Sequence, residues 1–386
     1  MLVGLVTTGI IGGGIGGLLS SIVISKLGFD VTVFEEHEFI GLPKHCTGLV
    51  SEETLNNIVN YSGINLKEVI KAKFDEYMIV RFVSNRFNVA LNLKFSKNVL
   101  LIDRVKTEQL LAHRAKDLDV NIRLRSLVSS VRVNQKGKYV VKYMSKHNVN
   151  NTTFSYLIIA EGAKRMLSSK LGLCKHVRNY YGLQTLIKVS SKHDVKAPLI
   201  IVGPVSKYFF GWIVPVHDDE LIVGIMDKAP PTEVYTSLTM LIRKYLKRLI
   251  NTENFEIEEY FGGLIPYDMT CTLGVGNICS IGDASSLVKP LTGGGLYVIA
   301  KQIKALSEAF KGHRDNVAIL YRDKLSPLIK ALRRDLVVKR FIDSLGGYDS
   351  LVRFLSVFTN TLKVYNYDNL LGSLLSSFSM LTKEFL

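Results

Sequence analysis

The sequence predicts an α/β chain: a parallel-sheet nucleotide-binding part, interrupted by an antiparallel-sheet segment and followed by C-terminal helices. Three observations predict it. Near the amino end, "IIGGGIGGLL" carries G-x-G-x-x-G at Gly12, Gly14 and Gly17, between a β-branched run and a helical pattern. Far along the chain, "NICSIGDASSLVKPLTGGGLYVIAKQI" gives a short strand, a Gly282-Asp283 turn, and three glycines that open a second helix. Between them, "YYGLQTLIKV", "APLIIVGP", "KYFFGWIVPV" and "ELIVGIMD" read as consecutive antiparallel strands.

The first element has to be told apart from a membrane span, because no charged side chain precedes Lys26. A signal peptide would place basic residues before its apolar run, and none is there. "LVTTGII" has the β-branched content of a buried parallel strand, and "IGGLLSSIVISKLG" reads as a helix closed by Gly28. "DVTVFEE" then alternates as a second strand and ends in Glu35, about 20 residues beyond the first glycine. This is a βαβ unit whose acid is placed to accept from a ribose hydroxyl. Its glycines let the backbone approach a pyrophosphate, and the helix start offers unpaired N–H groups.

At the second turn, Asp283 suits a ribityl hydroxyl, while Gly293 to Gly295 face phosphates or the polar edge of a flavin ring. The wide separation of the two motifs favours FAD over NAD, since a flavin domain interrupted by a substrate domain produces it. The expected fold is therefore a Rossmann-type FAD-binding domain with an inserted antiparallel-sheet substrate domain and C-terminal helices.

Boundaries follow from composition and pattern. The FAD-binding domain is read at 1–72, 99–175 and 266–320, and the β-rich substrate domain at 73–98 and 176–265. Residues 321–386 are read as helical. "TEVYTSLTMLIRKYLKRLI" is an amphipathic helix crossing the inserted strands.

The 386 residues are 47% hydrophobic and carry a net charge of +15, which fits an anionic partner. No nucleic-acid-binding module accompanies the charge. The basic residues Arg243, Lys244, Lys247, Arg248, Arg333, Arg334, Lys339 and Arg340 lie on helices. They are either solvated faces or a rim that attracts anionic lipid headgroups. The four cysteines lack C-x-x-C spacing, so neither a disulfide framework nor a zinc site is expected. The compartment is read as a reducing cytoplasm, with peripheral contact at the inner face of the cell membrane.

Taken in order, the glycine motif with its acid, "GLPKHCTGLVS", "LLIDRVKTEQLLAHRA" and "IGDASSLVKPLTGGG" resemble the geranylgeranyl reductases of the p-hydroxybenzoate hydroxylase-like superfamily. The resemblance spans roughly residues 9 to 340, and P-x-x-C-x-G at Pro43, Cys46 and Gly48 is its most specific piece. It implies FAD contacts at Gly16, Glu35, His45, Cys46, Gly48, Arg104, Val128, Asp283, Gly295 and Leu296, beside Gly12, Gly14, Gly17, Gly282 and Gly294 of the two turns.

Two departures stand out. The usual Asp-Gly after a strand is Glu161-Gly162 here. The substrate motif P-x-x-Y-x-W-x-F-P keeps Trp212 and Pro215, but has Phe210 in place of Tyr and Val214 in place of Phe, with Tyr208 two residues early. Tyr208, Phe210, Trp212 and Pro215 are the expected substrate-binding residues.

The implied activity is saturation of prenyl C=C bonds in isoprenoid glycerophospholipids by a FAD-dependent reductase acting on CH–CH groups. Electrons would come from NAD(P)H or ferredoxin. Cys46 is the expected catalytic residue, as proton donor, steric guide or backbone contact to the ring. His45 is read as a hydrogen-bonding loop residue ahead of an acid. The rival readings are a FAD-dependent monooxygenase of an aromatic or polyprenyl substrate and a flavoprotein electron-transfer dehydrogenase.

Overall fold

A computed structural model describes residues 6–74, 77–78, 92–95, 97–146, 148–190, 192–203, 205–247, 254–312, 316–358, 361–364 and 366–369. The apolar leader is folded inside. Strand Thr7–Ile11 turns through the glycines into helix Ile15–Ser25, and strand Asp30–Phe34 returns parallel to the first. Leu18, Leu19, Ile22 and Ile24 are wholly buried because helices Glu52–Ser62, Arg104–Lys116 and Leu296–Gly312 pack around this one. A helix that is apolar all round is a core helix when neighbours enclose it. No helix among the described residues is long and apolar enough to cross a membrane.

The main sheet has the order Gly274–Val275, Ile278–Ser280, Tyr156–Ile159, Thr7–Ile11, Asp30–Phe34, Asn121–Arg123. All but the first strand run parallel, so their carboxyl ends share one edge. Ligands of such sheets bind outside that edge. The chain places Gly12, Glu35, Glu161 and Asp283 there, each just past a strand end. A meander of Ser126–Val133, Tyr139–Ser145 and Asn148–Phe154 extends the layer, and only its first strand is foreseen from sequence.

The second layer is a five-stranded antiparallel sheet: Leu199–Gly203, Ser206–His217, Glu220–Asp227, Asn179–Val189, Phe255–Pro266. Its last strand, rich in exposed glutamate, has no apolar run to announce it. Helix Pro231–Met240 continues as a π-helical turn, Leu241–Leu246, and buries Leu238, Leu241 and Ile242 against Ile201, Ile213 and Val223.

Several expectations are corrected. The region read as wholly helical contains strand Thr361–Val364, parallel to Asn92–Phe95, because Leu362 and Val364 are buried with Leu93 and Phe95 in an aromatic cluster. Helix Val317–Ser344 runs through residue 320, where a boundary was read. The apolar segment 370–386, the central part of 73–98 and Arg248 lie outside the described residues.

Lys339 does not sit on a solvated face. It is 2% exposed, paired with Asp343, donates to the Tyr208 carbonyl at 2.8 Å, and lies 5.2 to 5.9 Å from the rings of Tyr348, Phe209 and Tyr180. Burial lowers its pKa, and Asp343 opposes that shift. Cys174 and Cys271 form a disulfide across 97 residues, against the expectation of free thiols. Strand-like pairing of the two residues brings the sulfurs together, which sequence spacing does not reveal.

Candidate functional site

The glycine turn and the aspartate turn meet. Gly16 lies against Ile281, the residue before Gly282; a Cβ built on Gly16 would stand 3.6 Å from its side chain. The strand ends are stitched by Ala160 N–H to the Ile11 carbonyl at 2.7 Å and Ile281 N–H to the Ile159 carbonyl at 2.9 Å. Gly12 has φ +110°, and a Cβ there would lie 2.1 Å from the Ala160 carbonyl oxygen, so only glycine fits this close crossing. Gly17 packs on the Gly12 carbonyl. Gly14 is the helix N-cap without a side-chain cap, and nothing lies within 4 Å of where its Cβ would be.

Glu35 sits at the end of its strand, 8% exposed, and accepts the Gly13 N–H at 2.7 Å and the His37 N–H at 2.8 Å. It thus clasps the glycine turn while keeping lone pairs for a hydroxyl. Val128 is half-buried, two residues after Ser126, whose N–H donates to the Glu35 carbonyl at 2.7 Å. Glu161 turns inward: it accepts the Leu167 and Ser168 N–H groups at 2.7 and 2.6 Å and caps the short helix Met166–Lys170.

Asp283 stands at the start of helix Leu296–Gly312. Its carboxylate oxygen is 3.5 Å from where a Cβ on Gly295 would be. Burial pushes its pKa up to about 6, against the pull of Arg104, Arg165 and His45. Leu296 is buried and opens the helix. Gly294 lies against Lys289, whose N–H donates to the Gly294 carbonyl at 3.0 Å. Gln302, which the sequence reading missed, receives the Gly282 N–H at 2.9 Å and donates to Ser285 at 2.9 Å. Arg165, also missed, is wholly buried and joins the layers, donating to Ser286 at 2.9 Å, to the Arg178 carbonyl at 3.1 Å and to Asn179.

Arg104 begins helix Arg104–Lys116 behind the Asp103 cap and pairs with Glu108. Burial pulls its pKa down, but Glu108 and then Cys46, to which it hydrogen-bonds, outweigh that and hold it above its ordinary value. Its Nε is buried without a partner.

The Pro43–Gly48 loop carries the exposed Cys46 thiol, which is in no disulfide. Non-local bonds fix it on the second layer: His45 Nδ1 is 2.9 Å from the Gly262 carbonyl, Thr47 donates to Gln184 at 2.6 Å, and Gln184 donates to the His45 carbonyl at 3.3 Å. The Gly48 carbonyl accepts the Ile102 N–H at 3.0 Å.

Register then places the aromatic side chains. Ile200, Trp212, Gly224, Gln184 and Phe261 form one row across the five-stranded sheet. The Trp212 indole lies over Gly224, where a Cβ would fall 2.3 Å from its ring, so it leans toward Gln184 and the cysteine loop. Its Nε1 is buried without a partner. Phe210 meets Trp212 at 6.4 Å and Tyr348 at 5.6 Å between centroids. Tyr208 and Pro215 are not part of this pair. The Tyr208 ring lies by the Lys207 and Lys228 ammonium groups, at 5.1 and 5.7 Å, and strand alternation turns Pro215 with Ile213 to the other face.

Uncapped amides at Gly14, an orphaned buried guanidinium nitrogen, and two carboxylates, Glu35 and Asp283, past strand ends on one edge of the sheet match a pyrophosphate flanked by polyol hydroxyls. The residues present fit FAD.

Comparison with known proteins agrees. The chain is 22% identical to digeranylgeranylglycerophospholipid reductase 2 of Methanothermobacter thermautotrophicus, covering 90% of each. A geranylgeranyl bacteriochlorophyll reductase-like protein of Thermoplasma acidophilum has the same fold, with TM-score 0.81, 18% identity and 99% of both chains covered. p-Nitrophenol 4-monooxygenase of Pseudomonas putida shares it less closely, with TM-score 0.65, 14% identity, 92% of this chain and 97% of that one. The chain belongs to the FAD binding domain family, whose model matches residues 5–315, and is a FAD-dependent oxidoreductase with a geranylgeranyl reductase-like fold.

Proposed function

We propose that the protein saturates isolated trisubstituted C=C bonds in the prenyl chains of an isoprenoid glycerophospholipid. One observation carries the reading: the Cys46 loop is pinned by Gln184, which lies in the same cross-sheet row as Trp212. Reduced FAD, when bound, supplies a hydride.

The residues around it serve the other half of the addition. An unactivated alkene takes hydride poorly, so a proton must reach its less substituted carbon. Cys46 Sγ–H donates that proton, with the Arg104 guanidinium beside it. The more substituted carbon gains cationic character and takes the hydride, so one proton and one hydride cross each double bond. The indole face of Trp212 stabilises that charge by about 2 kcal/mol when water is excluded. NAD(P)H or ferredoxin restores the reduced cofactor.

The test is anaerobic incubation of dithionite-reduced protein with an unsaturated diether phospholipid, read by mass spectrometry. Mass gains in multiples of two hydrogens are expected, and Cys46→Ala should slow them at least about a hundredfold with flavin retained. No gain ends the alkene reading. Hydroxylated product from an aromatic substrate, with stoichiometric oxygen uptake under air, would favour the monooxygenase reading instead.

A further inference from the structure

The geometry points to the outer face of helices Val317–Ser344 and Tyr348–Phe358 as the surface by which the protein docks on an anionic lipid bilayer. Val337 and Phe341 on the first helix and Leu345 at its C-cap follow one another four residues apart and are 64, 62 and 55% exposed. Phe354 and Val357 on the second are 60 and 79% exposed. The opposite sides of both helices, through Ile342, Tyr348, Val352 and Leu355, bury into one aromatic cluster, so both outer faces turn away from the same core. Five large apolar side chains this exposed on adjoining helices form an interaction patch rather than scattered surface residues.

Charge selects the occupant. Lys330, Arg333, Arg334, Arg340 and Arg353 are exposed around the stripe. Among the described residues Lys330, Arg333 and Arg340 make no ion pair. Apart from the exposed Asp323, more than three turns before Val337, the acids of these helices are occupied or turned in: Asp335 is 9% exposed, Asp343 pairs with buried Lys339, and Asp349 pairs with Arg353 at 2.9 Å. Apolar side chains ringed by unpaired cations fit the interface of a bilayer with negative headgroups.

Position adds to this. Tyr348, the first residue of the second helix, touches Phe210, which touches Trp212. A prenyl chain leaving the bilayer at this face would meet the aromatic row directly. This last step rests on the proposed alkene reduction, whereas the docking itself does not.

The test uses the full FAD-loaded chain, sedimented with vesicles of phosphatidylglycerol mixed into phosphatidylcholine, or of phosphatidylcholine alone. Binding to the mixed vesicles is expected, weakening at high salt. Phe341→Ser/Phe354→Ser should lower the partition coefficient about tenfold or more, since two buried aromatic side chains are removed from the lipid. Arg333→Glu/Arg340→Glu should erase the preference for anionic vesicles. Retained flavin absorbance and an unchanged melting temperature certify folding. Turnover of detergent-dispersed substrate should stay as in the parent, so loss of docking and failure of the reductase reading are separate results. Equal partition of parent and serine variant overturns the proposal. So does a preference for anionic vesicles that survives the charge reversal. A parent that is dimeric in solution, becomes monomeric on Phe341→Ser/Phe354→Ser and binds no vesicles would assign the face to a second copy instead.

Discussion

Arg104 and Asp283 share one site and feel opposite pressures there. Arg104 holds its charge against burial because Glu108 and Cys46 stand beside it, yet its Nε keeps an unmet donor. Removing the guanidinium with Arg104→Met should weaken FAD binding by about 2 kcal/mol, roughly thirtyfold, as measured by flavin titration of apoprotein. Asp283 is the reverse case, its carboxyl raised to about 6 chiefly by burial. Below about pH 4 the native and unfolded carboxyls are both protonated. Between about pH 4 and 6 the native one keeps a proton that the unfolded chain has lost, so this group's contribution to stability falls as pH rises. Asp283→Asn should therefore stabilise flavin-free protein above about pH 6, by no more than about 3 kcal/mol in urea unfolding. It should be neutral below about pH 4. A stabilisation that grew on acidification would refute the assignment.

The five-stranded sheet does its positioning through register. Trp212, Gly224 and Gln184 belong to three strands and meet only because the pairing aligns them. Trp212 is the chain's one tryptophan, so its emission reports this row directly. Gly224→Ala puts a methyl group where the indole now lies, and overpacking of this kind costs about 1–3 kcal/mol. The expected result is a shifted emission maximum and slower turnover, with flavin affinity unchanged. Unaltered emission would mean that the indole does not rest on Gly224.

The same contrast separates what the sequence announces from what it hides. Gly12, Glu35 and Asp283 are legible because a local strand–turn–helix pattern demands them. Gln184, Gln302 and Arg165 are not, since a polar residue in an apolar stretch says only that a partner exists somewhere. The Cys174–Cys271 bond and strand Thr361–Val364 are hidden for that reason: each is defined by a partner far away in the chain.

At the scale of the molecule, late residues of the chain close back on the loop before Gly293 and on the segment after the cysteine loop. Asp368 pairs with Lys289 at 3.0 Å, and the two side chains are 4 and 8% exposed. Asp368 also accepts the hydroxyls of Ser51 and Thr54, and Ser51 caps helix Glu52–Ser62 just past the cysteine loop. One carboxylate thus ties the 366–369 turn to the loop before Gly293 and to the strand after Gly48. Burial alone would raise the Asp368 pKa, but Lys289 and the two hydroxyls hold it below the ordinary value. Its contribution is therefore present above the ordinary carboxylate range and lost as pH falls through the native pKa.

Buried pairs behave asymmetrically when broken. Asp368→Ala leaves the Lys289 ammonium enclosed against the Tyr367 ring, 4.5 Å from its centroid, without its counter-ion. That should cost about 3–5 kcal/mol in urea unfolding, whereas Lys289→Met/Asp368→Leu, which removes both charges at similar volume, should recover most of the loss. The Ser51 hydroxyl still accepts the Thr54 N–H at 3.0 Å in either variant, so the helix cap is retained and the comparison isolates the pair. If the single variant costs under about 1 kcal/mol, the pair behaves as a solvated surface bridge and the 366–369 turn is not clamped to the loop before Gly293.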